Sequence, residues 1–141
     1  MGVKPTHSIL CSNNKIKKFY KDISLHTLIV KPNFGCSTKY IYSKVKSFSK
    51  SKFNKPKQIM FQAEYLKNQN NALERIAFKK YPKLKKIKSF LSNLENNIFA
   101  RMSGSGSSIV AYFHTKKACE KAFRQFKVKF NNHWCITSKT I

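Results

Sequence analysis

The sequence predicts an α+β domain: a mostly antiparallel sheet of about four strands with helices on one face. Three observations carry this reading. Apolar, β-branched runs of strand length occur at 25–30, 98–102, 109–113 and 134–137. Two of them are separated only by the small residues Ser103-Gly104-Ser105-Gly106-Ser107-Ser108, the connection of a hairpin. Segments with apolar residues at helical spacing precede, separate and follow these runs, and each such stripe needs a sheet or another helix to cover it.

Residues 1–22 are polar and basic with no clear period, apart from Ile9-Leu10-Cys11, and read as a poorly ordered lead-in to a domain over 23–141. Leu25 to Val30 forms the first strand, ended by Lys31-Pro32-Asn33, because proline cannot extend a sheet ladder. Past Phe34-Gly35-Cys36, Ser37 or Thr38 can cap a helix whose apolar face is Ile41, Val45 and Phe48. The stretch from Ser47 to Lys57 is rich in Lys, Ser and Asn with Phe53, and reads as a solvated basic loop.

A second helix follows on Leu73, Ile76, Ala77 and Tyr81, and Pro82 restarts the chain as a third, since proline suits the first helical turn. Leu84, Ile87, Leu91 and Leu94 form its stripe, with Lys83, Lys85, Lys86 and Lys88 on the outer face. After the hairpin, Ala118, Cys119, Ala122, Phe123 and Phe126 mark a fourth helix, and Trp134 to Thr137 closes the sheet. Leu28, Val30, Leu84, Ile87, Leu91, Val110 and Phe123 are the expected core, and the hairpin tip Ser103–Ser107 is expected at the surface.

The 141 residues carry 29 Lys or Arg against 5 acids, a net charge of +24. Such an excess allows nonspecific, counterion-driven nucleic-acid binding, and a basic nucleic-acid-binding domain is the alternative function. Only Arg75, Arg101 and Arg124 are arginines, and abundant Lys, Asn, Ile, Phe and Tyr together reflect an A/T-rich coding bias better than selection for phosphate recognition. Tyr112 and Phe113 are strand neighbours that point to opposite faces, so they do not form an RNA-stacking pair.

Cys11, Cys36, Cys119 and Cys135 contain no C-x-x-C pair, and His7, His26, His114 and His133 are dispersed, so no metal site is expected. No uncharged apolar run approaches the ~20 residues of a membrane span. A cytoplasmic protein with free thiols and no membrane partner is expected.

The glycine-rich tip is the one segment that can carry chemistry. Gly104 and Gly106 permit positive φ and leave backbone N–H groups unshielded, so Ser103, Gly104, Ser105, Gly106 and Ser107 can face an anion. The tip is neither a Walker A loop nor a dinucleotide fingerprint, because a strand follows it, not a helix, and the required lysine or third glycine is missing.

Its surroundings add a resemblance. Ala100-Arg101-Met102-Ser103-Gly104-Ser105-Gly106-Ser107 is similar to the third glycine-rich motif of the GHMP small-molecule kinases. Leu28 to Thr38, Asn70 to Ala77 and Tyr81 to Lys85 resemble, in order, the opening strand and turn, the N-D-L-E segment and the Y-P-x-L-K segment of the 4-diphosphocytidyl-2-C-methyl-D-erythritol kinases within that family. Ala72 stands where that family has Asp.

The resemblance implies the C-terminal domain of an enzyme that phosphorylates the 2-hydroxyl of that substrate in non-mevalonate isoprenoid precursor biosynthesis, with ATP and Mg²⁺ as cofactors. It assigns the ATP-cradling loop P-x-x-x-G-L-G-x-S-S-A and a catalytic Asp and Lys to an N-terminal domain that is absent here. Asp22, the sole aspartate, matches no catalytic position. The chain is therefore expected to be a truncated kinase, inactive alone, with no catalytic residue of its own. It is expected to bind neither ATP nor Mg²⁺ strongly, and a separately encoded N-terminal kinase half is the expected partner.

Overall fold

The computed structural model describes residues 24–47 and 57–140, together with the backbone of 7–10 and 16–19. In chain order the elements are β1 (His7–Leu10), β2 (Ile16–Phe19), β3 (His26–Lys31), α1 (Thr38–Ser43), a short 3-10 turn (Gln58–Phe61), α2 (Ala63–Lys67), α3 (Leu73–Lys80) and α4 (Pro82–Ser92). There follow β4 (Asn97–Met102), β5 (Ile109–Phe113), α5 (Lys116–Lys129) and β6 (Trp134–Lys139).

Strands β3 to β6 form the four-stranded sheet in the order β4-β5-β3-β6, with every neighbouring pair antiparallel. This is the α+β architecture the sequence predicts. A separate antiparallel pair, β1 with β2, sets His7 opposite Phe19. That regular pairing lies inside the segment expected to be a lead-in, whereas Cys11, Asp22, Phe48 and Phe53 lie outside the described residues.

One face of the sheet holds the core. Val30 pairs with Ile109 on one side and Cys135 on the other, Met102 faces Ile109 across the next ladder, and all four side chains are buried. Leu28, Ala111 and Ala100 form the next row. Helix α4 lays Leu84, Ile87 and Leu91 on this surface, and α5 adds Cys119, Ala122 and Phe126. Each fully buried large apolar side chain contributes roughly 1.5–3 kcal/mol of transfer free energy. Local signals fix both helices: Pro82 opens α4, and the Thr115 hydroxyl accepts a bond from the Ala118 amide at the start of α5.

Two core expectations need correction. Val110 and Phe123 are half-buried, not buried. Alternation along β5 sends Ile109, Ala111 and Phe113 to the helix side and Val110 and Tyr112 to the opposite face. On α5 the line Cys119, Ala122, Phe126 points at the sheet, and Phe123 sits one position off it.

Helix α1 is also shorter than its pattern. It ends at Ser43, so only Ile41 of the predicted stripe is buried on it, and Val45 is half-buried beyond its end. The Ser43 hydroxyl donates to the Tyr40 carbonyl at 2.8 Å, a local bond that competes with continuation of the helix. Helix α2 has no sequence period of its own. It is held from outside, by the Arg101 guanidinium donating to the Leu66 and Gln69 carbonyls. Among the described residues no helix is long and apolar enough to cross a membrane.

Candidate functional site

The β4–β5 connection folds back on itself: the Ser103 amide donates to the Ser108 carbonyl at 2.9 Å and the Gly106 amide to the Ser103 carbonyl at 2.9 Å. Both glycines take positive φ, +52° at Gly104 and +86° at Gly106. Their surroundings differ. A Cβ at Gly104 meets nothing within 4 Å, whereas one at Gly106 lies 2.9 Å from Met102 Sδ and 3.2 Å from Cys36 Sγ. Gly106 is thus required by close approach as well as by backbone conformation, and Gly104 by conformation alone.

Three other parts of the chain grip this loop. From the β3–α1 connection, the Lys31 ammonium donates to Ser107 Oγ at 2.9 Å and to the Pro32 and Phe34 carbonyls, and Ser107 Oγ donates to the Phe34 carbonyl at 2.8 Å. The Thr38 and Ser105 hydroxyls share a 2.9 Å bond at the start of α1. From the start of α3, Asn71 Nδ2 donates to the Met102 carbonyl at 2.9 Å and the Gly104 carbonyl at 2.7 Å, while Glu74 Oε1 accepts from the Met102 amide at 2.7 Å. Tyr81, just before α4, accepts from the Ser37 amide through its hydroxyl at 3.0 Å. The four segments 28–38, 70–77, 81–85 and 100–107, far apart in sequence, meet at one end of the sheet.

Ser103 and Gly104 are exposed and Ser105 and Gly106 half-exposed, but Ser107 is only 3% exposed. The expectation of a fully exposed tip is corrected at that residue, because its hydroxyl is consumed by Lys31 and Phe34. The amides of Gly104 and Ser105 have no acceptor among the described residues. They remain free to donate outward.

One charge of each sign flanks the loop. Among the described residues Lys31 stands beside it with no acidic neighbour in hydrogen-bond contact, and Glu74 touches the residue that opens it, through its bond to the Met102 amide. Burial raises the Cys36 thiol above its ordinary pKa, with the Lys31 ammonium pulling weakly the other way, so Cys36 is a neutral packing group against Gly106 at neutral pH. Backbone N–H groups without an acceptor can donate to an anion. For a divalent cation the fit is poor: among the described residues no three His, Cys, Asp or Glu side chains gather to hold one.

Lys31, Asn71 and Glu74 were not identifiable from periodicity, because each acts across at least 28 residues of sequence. The signal that finds them is the set of four resembling segments, read as one surface instead of four matches.

The family described as "GHMP kinases C terminal" matches residues 46–132. A 4-diphosphocytidyl-2-C-methyl-D-erythritol kinase of Pelagibacter ubique is 67% identical over 141 residues, all of this chain and 50% of that protein. The kinase of the same name from Clostridium kluyveri is 34% identical over 110 residues, 73% of this chain and 39% of its own length. The chain spans half or less of each of these relatives.

Two solved structures share the fold. Homoserine kinase from Cytophaga hutchinsonii superposes with a TM-score of 0.67 at 16% identity, covering 95% of this chain and 47% of that one. A 4-(cytidine 5'-diphospho)-2C-methyl-D-erythritol kinase gives 0.64 at 20% identity, covering 86% and 45%. These similarities do not favour the nucleic-acid alternative.

Proposed function

This chain belongs to the GHMP kinase C-terminal family, and we propose that it serves as the C-terminal half of an ATP-dependent kinase for the 2-hydroxyl of 4-diphosphocytidyl-2-C-methyl-D-erythritol. The reading is supported by the name carried by the 67% identical Pelagibacter relative and by the Clostridium kluyveri relative. The observation that carries it is the convergence of Lys31, Thr38, Asn71 and Glu74 on Met102 and the loop Ser103 to Ser107. A loop held this way, with outward amides and an adjacent ammonium, can stabilise charge on a phosphoryl group in transfer.

In this reading the chain supplies one wall. Gly104 and Ser105 donate backbone N–H groups toward the phosphate side, Lys31 adds positive charge behind them, and the packed Met102 and Cys36 under Gly106 keep the loop from collapsing. ATP with Mg²⁺ supplies the phosphoryl group when bound. The resemblance assigns the loop that cradles the nucleotide, and a catalytic Asp and Lys, to the other half of such an enzyme. The N-terminal half of such an enzyme is the proposed partner of this domain.

The test is reconstitution. The purified chain alone, given ATP, Mg²⁺ and the erythritol substrate, is expected to give no turnover, while the chain mixed with the N-terminal half of the Pelagibacter relative forms a complex that does. Turnover by the chain alone, or a folded complex that never turns over, contradicts the proposal.

A further inference from the structure

We infer that Asn71 and Glu74, at the start of α3, are positioning residues that set the glycine-rich loop for phosphoryl transfer, an inference that rests on the kinase reading above. The geometry is reciprocal and local. Asn71 Nδ2 spans the mouth of the loop by donating to two carbonyls, Met102 at 2.9 Å and Gly104 at 2.7 Å, and one turn along, Glu74 Oε1 receives the Met102 amide at 2.7 Å. Met102 is thus held on both its N–H and its C=O by one helix start. The same Asn71 uses its oxygen elsewhere, accepting from the Leu73 amide at 3.0 Å.

This division of labour within one amide has a chemical consequence. The oxygen does the work of a helix cap, which α3 lacks from its formal cap residue, because Ala72 has no side-chain acceptor. The nitrogen does nothing for the helix and acts only on the loop. Fixing the Gly104 carbonyl on Asn71 fixes the trans Gly104–Ser105 peptide, so that the Ser105 amide, which has no acceptor among the described residues, points away from Asn71. Arg101 extends the support by anchoring β4 to the Leu66 and Gln69 carbonyls just ahead of Asn71. Preorganised donors are the part of such a site that costs no rearrangement at the moment of transfer.

The separation makes the inference testable with a single near-isosteric change. Asn71→Asp keeps the oxygen that caps Leu73 and replaces the donor by a second acceptor facing two carbonyls. Hydrogen exchange in the chain is expected to leave the Leu73 amide unchanged while the Ser103 and Gly106 amides, which close the loop, exchange at least tenfold faster. Glu74→Gln retains an acceptor for the Met102 amide and is expected to keep its exchange within twofold, whereas Glu74→Leu is expected to speed it at least tenfold.

In the complex reconstituted with the N-terminal half, Asn71→Asp is expected to lower kcat at least tenfold with KM for the erythritol substrate within twofold. Unchanged loop exchange in Asn71→Asp, or a loosened loop with unchanged kcat, overturns the positioning role. A wild-type complex without turnover overturns the kinase reading itself, and with it the role in transfer.

Discussion

The Lys31 ammonium and the Ser107 hydroxyl lie 2.9 Å apart, joining the end of β3 to the last turn of the β4–β5 loop across 76 residues of sequence. Ser107 passes the contact on by donating to the Phe34 carbonyl at 2.8 Å. At 3% exposure, this hydroxyl is a buried polar group whose partners both lose a bond when it is removed. Ser107→Ala is expected to destabilise the domain by about 1–2 kcal/mol. Urea unfolding checks this through the midpoint at constant slope; a midpoint equal to wild type contradicts the linkage.

The two loop glycines should respond unequally to substitution. Gly104→Asn places a residue that tolerates left-handed backbone in open space, and is expected to cost under ~1 kcal/mol. Gly106→Val forces a β-branched residue into φ +86° with its Cβ 2.9 Å from Met102 Sδ, and is expected to cost roughly 3 kcal/mol or more. Thermal melts of the two variants separate the predictions. Equal losses at both positions would mean that backbone conformation, not the approach to Met102 and Cys36, governs the loop.

Cys119 offers a pH signature. It is 1% exposed on the sheet-facing side of α5, and burial, helped by the Glu120 carboxylate, raises its thiol from 9.0 to about 11. Below pH 9 the thiol is neutral in both folded and unfolded chains and contributes no pH dependence. As pH rises from 9 toward 11 the unfolded chain loses the proton first, so the folded state is disfavoured by about 1.4 kcal/mol per unit of unmatched ionisation. Cys119→Ala removes this slope. The difference in unfolding free energy between wild type and variant is expected to shrink across pH 9–11, and a difference constant with pH contradicts the assignment.

The sheet and its covering helices were legible because their signals are local. Leu28 and Val30 alternate along β3, Leu84, Ile87 and Leu91 repeat along α4, and all five are buried as their spacing predicts. Where two neighbours carry similar apolar weight, spacing alone does not choose the inward one. Val110 beside Ile109 and Phe123 beside Ala122 were assigned to the core for that reason, and both are half-buried. Helix α2 was illegible because its support comes from Arg101, 32 or more residues away.

The candidate site was legible in part. The glycines of the β4–β5 tip announce a loop of unusual backbone, and Gly104 and Gly106 both take positive φ. Nothing in the tip itself reveals that Ser107 is buried, because its burial depends on a lysine and a carbonyl from another strand end. Asn71 was visible only as one letter of a resembling segment. Its role rests on which of its two amide atoms faces the loop, a fact of tertiary geometry.

The most direct test of the central claim, that the glycine-rich loop faces the transferring phosphate, is the initial rate of the reconstituted complex carrying Ser105→Asp against the same complex carrying Ser105→Asn. The two side chains are nearly equal in size, Ser105 is half-exposed, and the essential difference is one negative charge beside the outward amides. A charge opposed to the phosphate is expected to reduce kcat for Ser105→Asp by roughly a hundredfold relative to Ser105→Asn, the scale of losing one preorganised donor. Equal rates for the two variants, with equal melting temperatures, would contradict the account.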